Sequence, residues 1–126
     1  MKWLEGMIAK WKPDLIVFES PWIPRTPKPN AKPSKIKTTP QVLRGQITWA
    51  AVIETTAAKH GIECREVESV SAKKVMTGRG RLEDKKRDMV NAALARGFRV
   101  ADDHQADACA VAMVALIEAD EWRHAE

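Results

Sequence analysis

Two acidic residues stand out because the residues around them are apolar. Glu19 ends the run Leu-Ile-Val-Phe at 15–18, and a short apolar run of this kind is typical of a buried parallel strand. Asp107 is the one residue between 106 and 117 that is not Ala, Val, Leu, Ile, Met or Cys. An ionised carboxylate among apolar neighbours is costly unless it is paired, hydrogen-bonded or bound to a cation. Both positions are therefore candidates for chemistry.

Two further polar residues precede Asp107 by one helical turn. His104 and Asp103 lie three and four residues before it, so all three can share a helix face. Carboxylate oxygens with one imidazole suit Mg²⁺ or Mn²⁺, ions that commonly assist phosphodiester hydrolysis. The alternative is structural: Asp102 or Asp103 caps the helix, and Glu19 is a solvated residue at a strand end. Capping explains Asp102 and Asp103 better than it explains Asp107.

Positive charge is concentrated in two segments of the chain. The formal net charge is only +4, from 21 Lys+Arg and 17 Asp+Glu. No acidic residue occurs between Glu19 and Glu54, whereas six basic residues do. The second basic cluster comprises Lys73, Lys74, Arg79, Arg81, Lys85, Lys86 and Arg87. This distribution fits a protein that binds a polyanion, although solvated faces of an ordinary basic protein remain the alternative.

The order of predicted elements indicates a single α/β domain over residues 1–126. The apolar spacing and the positions of Pro and Gly predict two parallel strands separated by helices. The predicted helices cover 1–12, 40–60, 71–77 (one or two turns), 82–96 and 104–122, and the strands cover 15–18 and 62–67. The inward face of the 82–96 helix is predicted as Leu82, Met89, Val90, Ala93 and Leu94. A basic, Pro-rich loop is predicted for 20–40, which contains six of the seven prolines.

Composition excludes several classes of protein. Two cysteines, Cys64 and Cys109, are too few for a disulfide scaffold, and neither has a partner at metal-ligand spacing. No apolar run approaches the roughly 18 to 20 residues of a membrane span, and no signal peptide is evident. The expected location is the cytoplasm, with no membrane partner.

Three segments carry a family resemblance. Residues 15–22 (LIVFESPW), 72–80 (AKKVMTGRG) and 103–112 (DHQADACAVA) occur in the order of three blocks of the RuvC-type Holliday-junction resolvases, which they resemble. The resemblance extends over about residues 1–118. It implies a truncated ribonuclease H-like α/β fold with two parallel strands and four to five helices. It also implies a metal-dependent, structure-specific endodeoxyribonuclease that hydrolyses phosphodiesters in branched DNA as a homodimer.

The resemblance assigns roles to individual residues. Glu19, His104 and Asp107 match catalytic positions that hold Mg²⁺ or Mn²⁺, with Asp103 as a possible substitute ligand. Trp22 follows the strand where the family has an aromatic residue that enters the opened junction, although a core Trp covering the strand end is an equal alternative. The expected DNA-binding residues are Trp22, Lys73, Lys74, Arg79, Arg81, Lys85 and Lys86.

One difference from the family affects the expected activity. Family members begin with three strands, the first of which carries an Asp in a Gly-Ile-Asp-Pro-Gly-like segment, and this chain opens on the helix that follows them. An N-terminally shortened form is therefore expected, which binds branched DNA but cleaves it poorly. A catalytically impaired nucleic-acid-binding remnant is one alternative. A protein-interaction domain, which would show no salt-dependent affinity for DNA, is another.

Overall fold

The protein is mixed α/β, with five helices and two parallel strands in the residues described. The structure is a computed structural model that describes residues 2–21, 39–79 and 81–124, with the backbone alone for 122–124. The elements are α1 (Lys2–Trp11), β1 (Leu15–Glu19), α2 (Pro40–Lys59), β2 (Glu63–Val67), α3 (Ser69–Thr77), α4 (Lys85–Ala95) and α5 (Asp103–His124). The predicted class and the parallel strand pair are confirmed. The ribonuclease H-like topology stays a prediction.

Local sequence signals set the ends of α2. Thr39 is the N-cap, and its hydroxyl accepts a hydrogen bond from the Val42 amide at 3.3 Å. Pro40 follows at the first helical position, where its lack of an N–H has no cost. The helix ends at Lys59, and Gly61 then takes a φ of 66°, which favours glycine. The predicted helix at 40–60 is therefore confirmed.

Several predicted boundaries need correction. The segment predicted as one or two turns at 71–77 is a nine-residue helix, α3, that begins at Ser69. Helix α4 begins at Lys85 rather than at 82, because Asp84 is its N-cap and accepts a hydrogen bond from the Arg87 amide at 3.3 Å. The predicted loop at 20–40 lies outside the described residues except at its two ends, and Trp22 also lies outside them.

The chain divides into two compact units, of which the first comprises Met1–Asp14 and Pro21–Ile62. Here α1 packs against α2. Leu4 and Ile8 form the buried side of α1, and Ala57 is fully buried in α2. The Lys59 ammonium donates a hydrogen bond to the Glu5 carboxylate at 2.8 Å and joins the two helices at the surface.

The second unit comprises Leu15–Ser20 and Glu63–Glu126 and contains both strands. Strand β1 pairs with β2 in parallel, in a register that places Leu15 beside Glu63 and Glu19 beside Val67. The Ser20 amide continues the ladder by donating to the Val67 carbonyl at 2.8 Å. Both strands therefore end at the same edge of the sheet.

Helix α5 is the centre of the second unit. It contacts α3, α4, β1 and β2. Its buried line consists of small residues, Ala106, Ala110, Val111 and Val114, which allow the neighbouring elements to approach closely. The rest of the core comes from Val67, Ala72, Met76, Met89 and Ala93.

One expectation about burial is wrong. Leu94 is 51% exposed, because Met89 and Ala93 face the core and the next residue turns about 100° away from it. Helix α5, which is apolar on nearly every side, exposes Leu116 and Ile117. In the described ranges, no helix combines the length and the apolarity that crossing a membrane requires.

The contrast between Met89 and Leu94 yields a test of the core. Met89 is 1% exposed, so Met89→Ala leaves a cavity and should lower the free energy of unfolding by about 2–5 kcal/mol. Leu94→Ala in the same helix should change it by about 0.5 kcal/mol or less. Denaturant unfolding of both variants measures the difference, and equal losses would contradict this assignment of the core.

Candidate acidic site

Glu19 occupies the carboxyl end of the parallel strand pair. The apolar residues 15–18 are partly buried, and the next residue, Glu19, is exposed. This is the edge at which open α/β sheets bind ligands. The structure therefore confirms that Glu19 lies at the end of a strand.

A side-chain cap fixes the start of α5. The Asp102 carboxylate accepts a hydrogen bond from the Gln105 amide at 2.9 Å, and the Gln105 side chain accepts one from the Ala101 amide at 2.9 Å. These paired bonds resemble a capping box. Asp102 thus caps the helix, and the structural alternative is the right one for this residue. Asp103 and His104 follow it in the first turn of α5.

Asp107 lies one turn further into α5, and its side chain is only 22% exposed. Burial raises the pKa of its carboxyl above the ordinary value of 3.8. The charge of Lys85 opposes this shift, the negative charges of Glu19 and Asp103 add to it, and a protonated His104 opposes it. The helix and the sheet edge therefore bring Glu19, Asp103 and His104 within electrostatic range of Asp107.

Lys85 is the closest cation to this cluster in the part of the chain that the structure describes. Its ammonium nitrogen lies 3.7 Å from an Asp107 carboxylate oxygen, which is an ion pair but longer than a good hydrogen bond. Lys85 is one of the residues predicted to contact DNA, and the structure pairs it with the half-buried carboxylate of Asp107. Its side chain is 46% exposed, so the pair is open to water.

The fit of a divalent cation depends on the donors and on their arrangement. Carboxylate oxygens with one imidazole are the donors that Mg²⁺ and Mn²⁺ accept. Among the residues described, however, no three His, Cys, Asp or Glu side chains are grouped closely enough to hold an ion. The cluster fits a hard cation by the chemistry of its donors and not by their arrangement.

The six basic residues predicted to bind DNA lie along α3, the following turn and α4. Lys73 and Lys74 belong to α3, and Lys85 and Lys86 form the first turn of α4. Arg79 and Arg81 lie between the two helices and are exposed. All six belong to the same compact unit as the acidic cluster.

Glu68, which directly follows β2, was not among the site residues predicted from the sequence. It is exposed and is the N-cap of α3, yet its side chain makes no capping hydrogen bond. Since Glu19 is paired with Val67, Glu68 lies one position beyond it at the same sheet edge. An acid directly after the second predicted strand was the signal that could have identified it.

Comparison with models of known protein families gives no match, and no curated protein is significantly similar to this sequence.

The raised pKa of Asp107 predicts a pH-dependent effect of its removal. Because the pKa is higher in the folded state, ionised Asp107 disfavours folding, and stability is lost as the pH rises from about 3.8 through the folded pKa. Asp107→Asn should therefore raise the melting temperature at pH 7 and raise it much less at pH 4. The charges of four neighbouring residues also act on this carboxyl: Glu19, Lys85, Asp103 and His104. The melting temperature of each variant is therefore compared with that of the parent at the same pH.

Glu118→Gln is the matched control, because Glu118 is an exposed acid of the same helix. Its effect on the melting temperature should be small at both pH values. An Asp107→Asn variant that is less stable than the parent at pH 7 would show that the carboxylate is stabilised by its surroundings.

Proposed function

We propose that this chain is a metal-dependent, structure-specific endodeoxyribonuclease of the kind that RuvC-type resolvases represent, and that it acts on phosphodiesters in branched DNA. The observation that supports this most is the position of the half-buried Asp107 near the start of α5, the helix that packs against the strand ended by Glu19. Glu19 and Asp107 are 88 positions apart in the sequence, and the contact between α5 and β1 brings their two elements together. Packing alone gives no reason to collect acids beside a buried carboxylate.

The acidic cluster contains the donor types that bind the divalent ions used in phosphodiester hydrolysis, carboxylate oxygens and one imidazole. Mg²⁺ or Mn²⁺ bound there would neutralise charge on the scissile phosphate and lower the pKa of the attacking water. Glu19 and Asp107 would be the principal oxygen ligands, with His104 and Asp103 beside them.

The basic residues supply the binding surface. Lys85 and Lys86 lie in the first turn of α4, where cations interact unfavourably with the helix dipole. Their position therefore does not serve the helix dipole, and both lysines are exposed and can contact DNA phosphates. Contacts of this kind recognise the backbone and shape of DNA and give salt-dependent affinity. The proposed partner is branched DNA bound by a homodimer.

A second candidate is a protein that binds nucleic acid without cutting it. Two observations favour it: the described residues hold no preformed group of three metal ligands, and Lys85 lies 3.7 Å from Asp107. An ammonium at this distance already balances the charge that a metal ion would balance. Under this candidate the basic surface is functional and the acidic cluster is not.

Cleavage and binding of a labelled four-way DNA junction distinguish the two candidates. The parent chain should bind the junction and cleave it slowly with Mg²⁺ or Mn²⁺. Glu19→Gln combined with Asp107→Asn should abolish cleavage and keep junction affinity within about threefold, because phosphate contacts dominate affinity. A linear duplex of the same length is the substrate control. Absence of cleavage by the parent supports the second candidate, and unchanged cleavage by the double variant contradicts the proposed site.

Lys85 and Lys86 form a matched pair for testing the metal-binding role of the cluster. Lys85→Gln removes the cation beside Asp107 and should strengthen Mn²⁺ binding by about two- to fivefold, the range that one exposed ion pair gives. Lys86→Gln should change it by less. Titration with Mn²⁺, followed by electron paramagnetic resonance, measures this without reference to cleavage. Equal or weaker binding by Lys85→Gln would show that the metal does not use Asp107.

A further inference from the structure

A second concave site lies apart from the acidic cluster. A cavity of about 460 Å³ is lined by the end of α3, the segment after it and one side of α4. Its volume is within the range of small-molecule sites, about 300–1,000 Å³. Neither Glu19 nor Asp107 lines it, so a phosphate-bearing ligand there would not meet these two acids.

The floor of this cavity is apolar. Met76 is 2% exposed, and Leu82 and Ala92 pack against the same core. Ala95, in the last turn of α4, adds a small exposed side chain to the lining. Small and flexible side chains of this kind leave room for a flat ring against the floor.

Two arginines make the lining positive. The Arg96 guanidinium donates to the Met76 carbonyl at 3.1 Å and to the Val75 carbonyl at 2.9 Å. These bonds use two of the five N–H donors of Arg96 and fix the orientation of the guanidinium plane. Little side-chain entropy is therefore lost when a ligand binds the remaining N–H groups. Arg79 is presented by a fixed turn, since its amide donates to the Thr77 hydroxyl at 3.1 Å. In the ranges described, no carboxylate forms an ion pair with Arg79 or Arg96.

Two further side chains of the lining can form hydrogen bonds with polar atoms at the edge of an aromatic ring. The Asp88 carboxylate is held by the Asp84 amide at 3.3 Å and faces Arg87 at 3.5 Å. A carboxylate has about four acceptor sites, so it can still accept from an amino group. Asn91 lines the same cavity with an amide that both donates and accepts. An apolar floor, an acceptor edge and guanidinium groups together match a nucleobase that carries a phosphate.

We propose that this cavity binds one nucleotide, with the base on the apolar floor and the phosphate at Arg79. Because Asp88 accepts hydrogen bonds, a base with an exocyclic amino group is preferred over thymine. The nucleotide comes from an unpaired stretch of a DNA strand or is free in solution. The first source rests on the proposed function, and the second does not.

Nuclear magnetic resonance titration with dCMP, TMP and inorganic phosphate tests the site directly. The amide signals of 76–79 and 91–96 should shift with dCMP, which should bind at least about fivefold more tightly than inorganic phosphate, since base contacts give effects of this size or larger. Asp88→Asn keeps an acceptor for the Asp84 amide and should reduce the preference for dCMP over TMP to within about twofold. Equal binding of phosphate and dCMP would overturn the proposal.

Fluorescence anisotropy with a short single-stranded oligonucleotide distinguishes the two sources. Ala95→Leu fills the cavity from its exposed side, and Ala58→Leu, an exposed alanine of α2 that does not line it, is the control. A loss of at least about fivefold in strand affinity with Ala95→Leu alone identifies the strand as the source. Unchanged strand affinity with lost dCMP binding identifies a free nucleotide.

Arg79→Ala and Arg81→Ala complete the test, because both arginines are exposed and only Arg79 lines the cavity. Arg79→Ala should weaken dCMP binding several-fold more than Arg81→Ala. If dCMP shifts no amide signal near the cavity, the proposal is wrong, whatever the outcome with the four-way junction. If dCMP binds but the junction is neither bound nor cut, the site stands and the proposed nuclease function fails.

Discussion

The packing of the alanine face of α5 is the interaction on which the second unit depends. Ala106 and Ala110 are fully buried, and the small side chains bring α5 close to α3, α4 and both strands. Asp107 follows Ala106 directly, so the same packing that forms the core removes water from one side of its carboxylate. The position of the candidate site is thus a consequence of how the core is built.

Burial and charge act together at this carboxylate. Loss of water raises the pKa of Asp107, and the neighbouring acids Glu19 and Asp103 raise it further, while Lys85 lowers it. A site with several acids and one cation at 3.7 Å is short of positive charge. A divalent ion or a further cation would relieve this repulsion, which is the physical reason to associate the cluster with metal binding.

Much of the fold followed from local signals, and the remainder depended on tertiary packing. The bounds of α2 were readable because Pro40 and Gly61 each fix one end by backbone chemistry. The start of α4 was misplaced because Leu82 fits the helical spacing, yet the Asp84 cap begins the helix later. Leu94 was misassigned because periodicity does not show how wide the covered face of a helix is. The proximity of Glu19 to Asp107 was predictable from topology, whereas the ion pair with Lys85 depends on how α4 packs beside α5.

Two local features of this unit oppose stability and occur together. Asp107 places a carboxylate in a partly buried position, and Lys85 places a cation at the unfavourable end of a helix. Each partly compensates the other, because their charges are opposite and 3.7 Å apart. An exposed pair of this kind contributes only about 0–1 kcal/mol, which is too little to explain both features as stabilising. Natural proteins tolerate such local conflicts chiefly at functional sites. The pairing of Asp107 with Lys85 is therefore a physical reason to propose a binding site at the carboxyl end of the strands rather than at the exposed apolar end of α5.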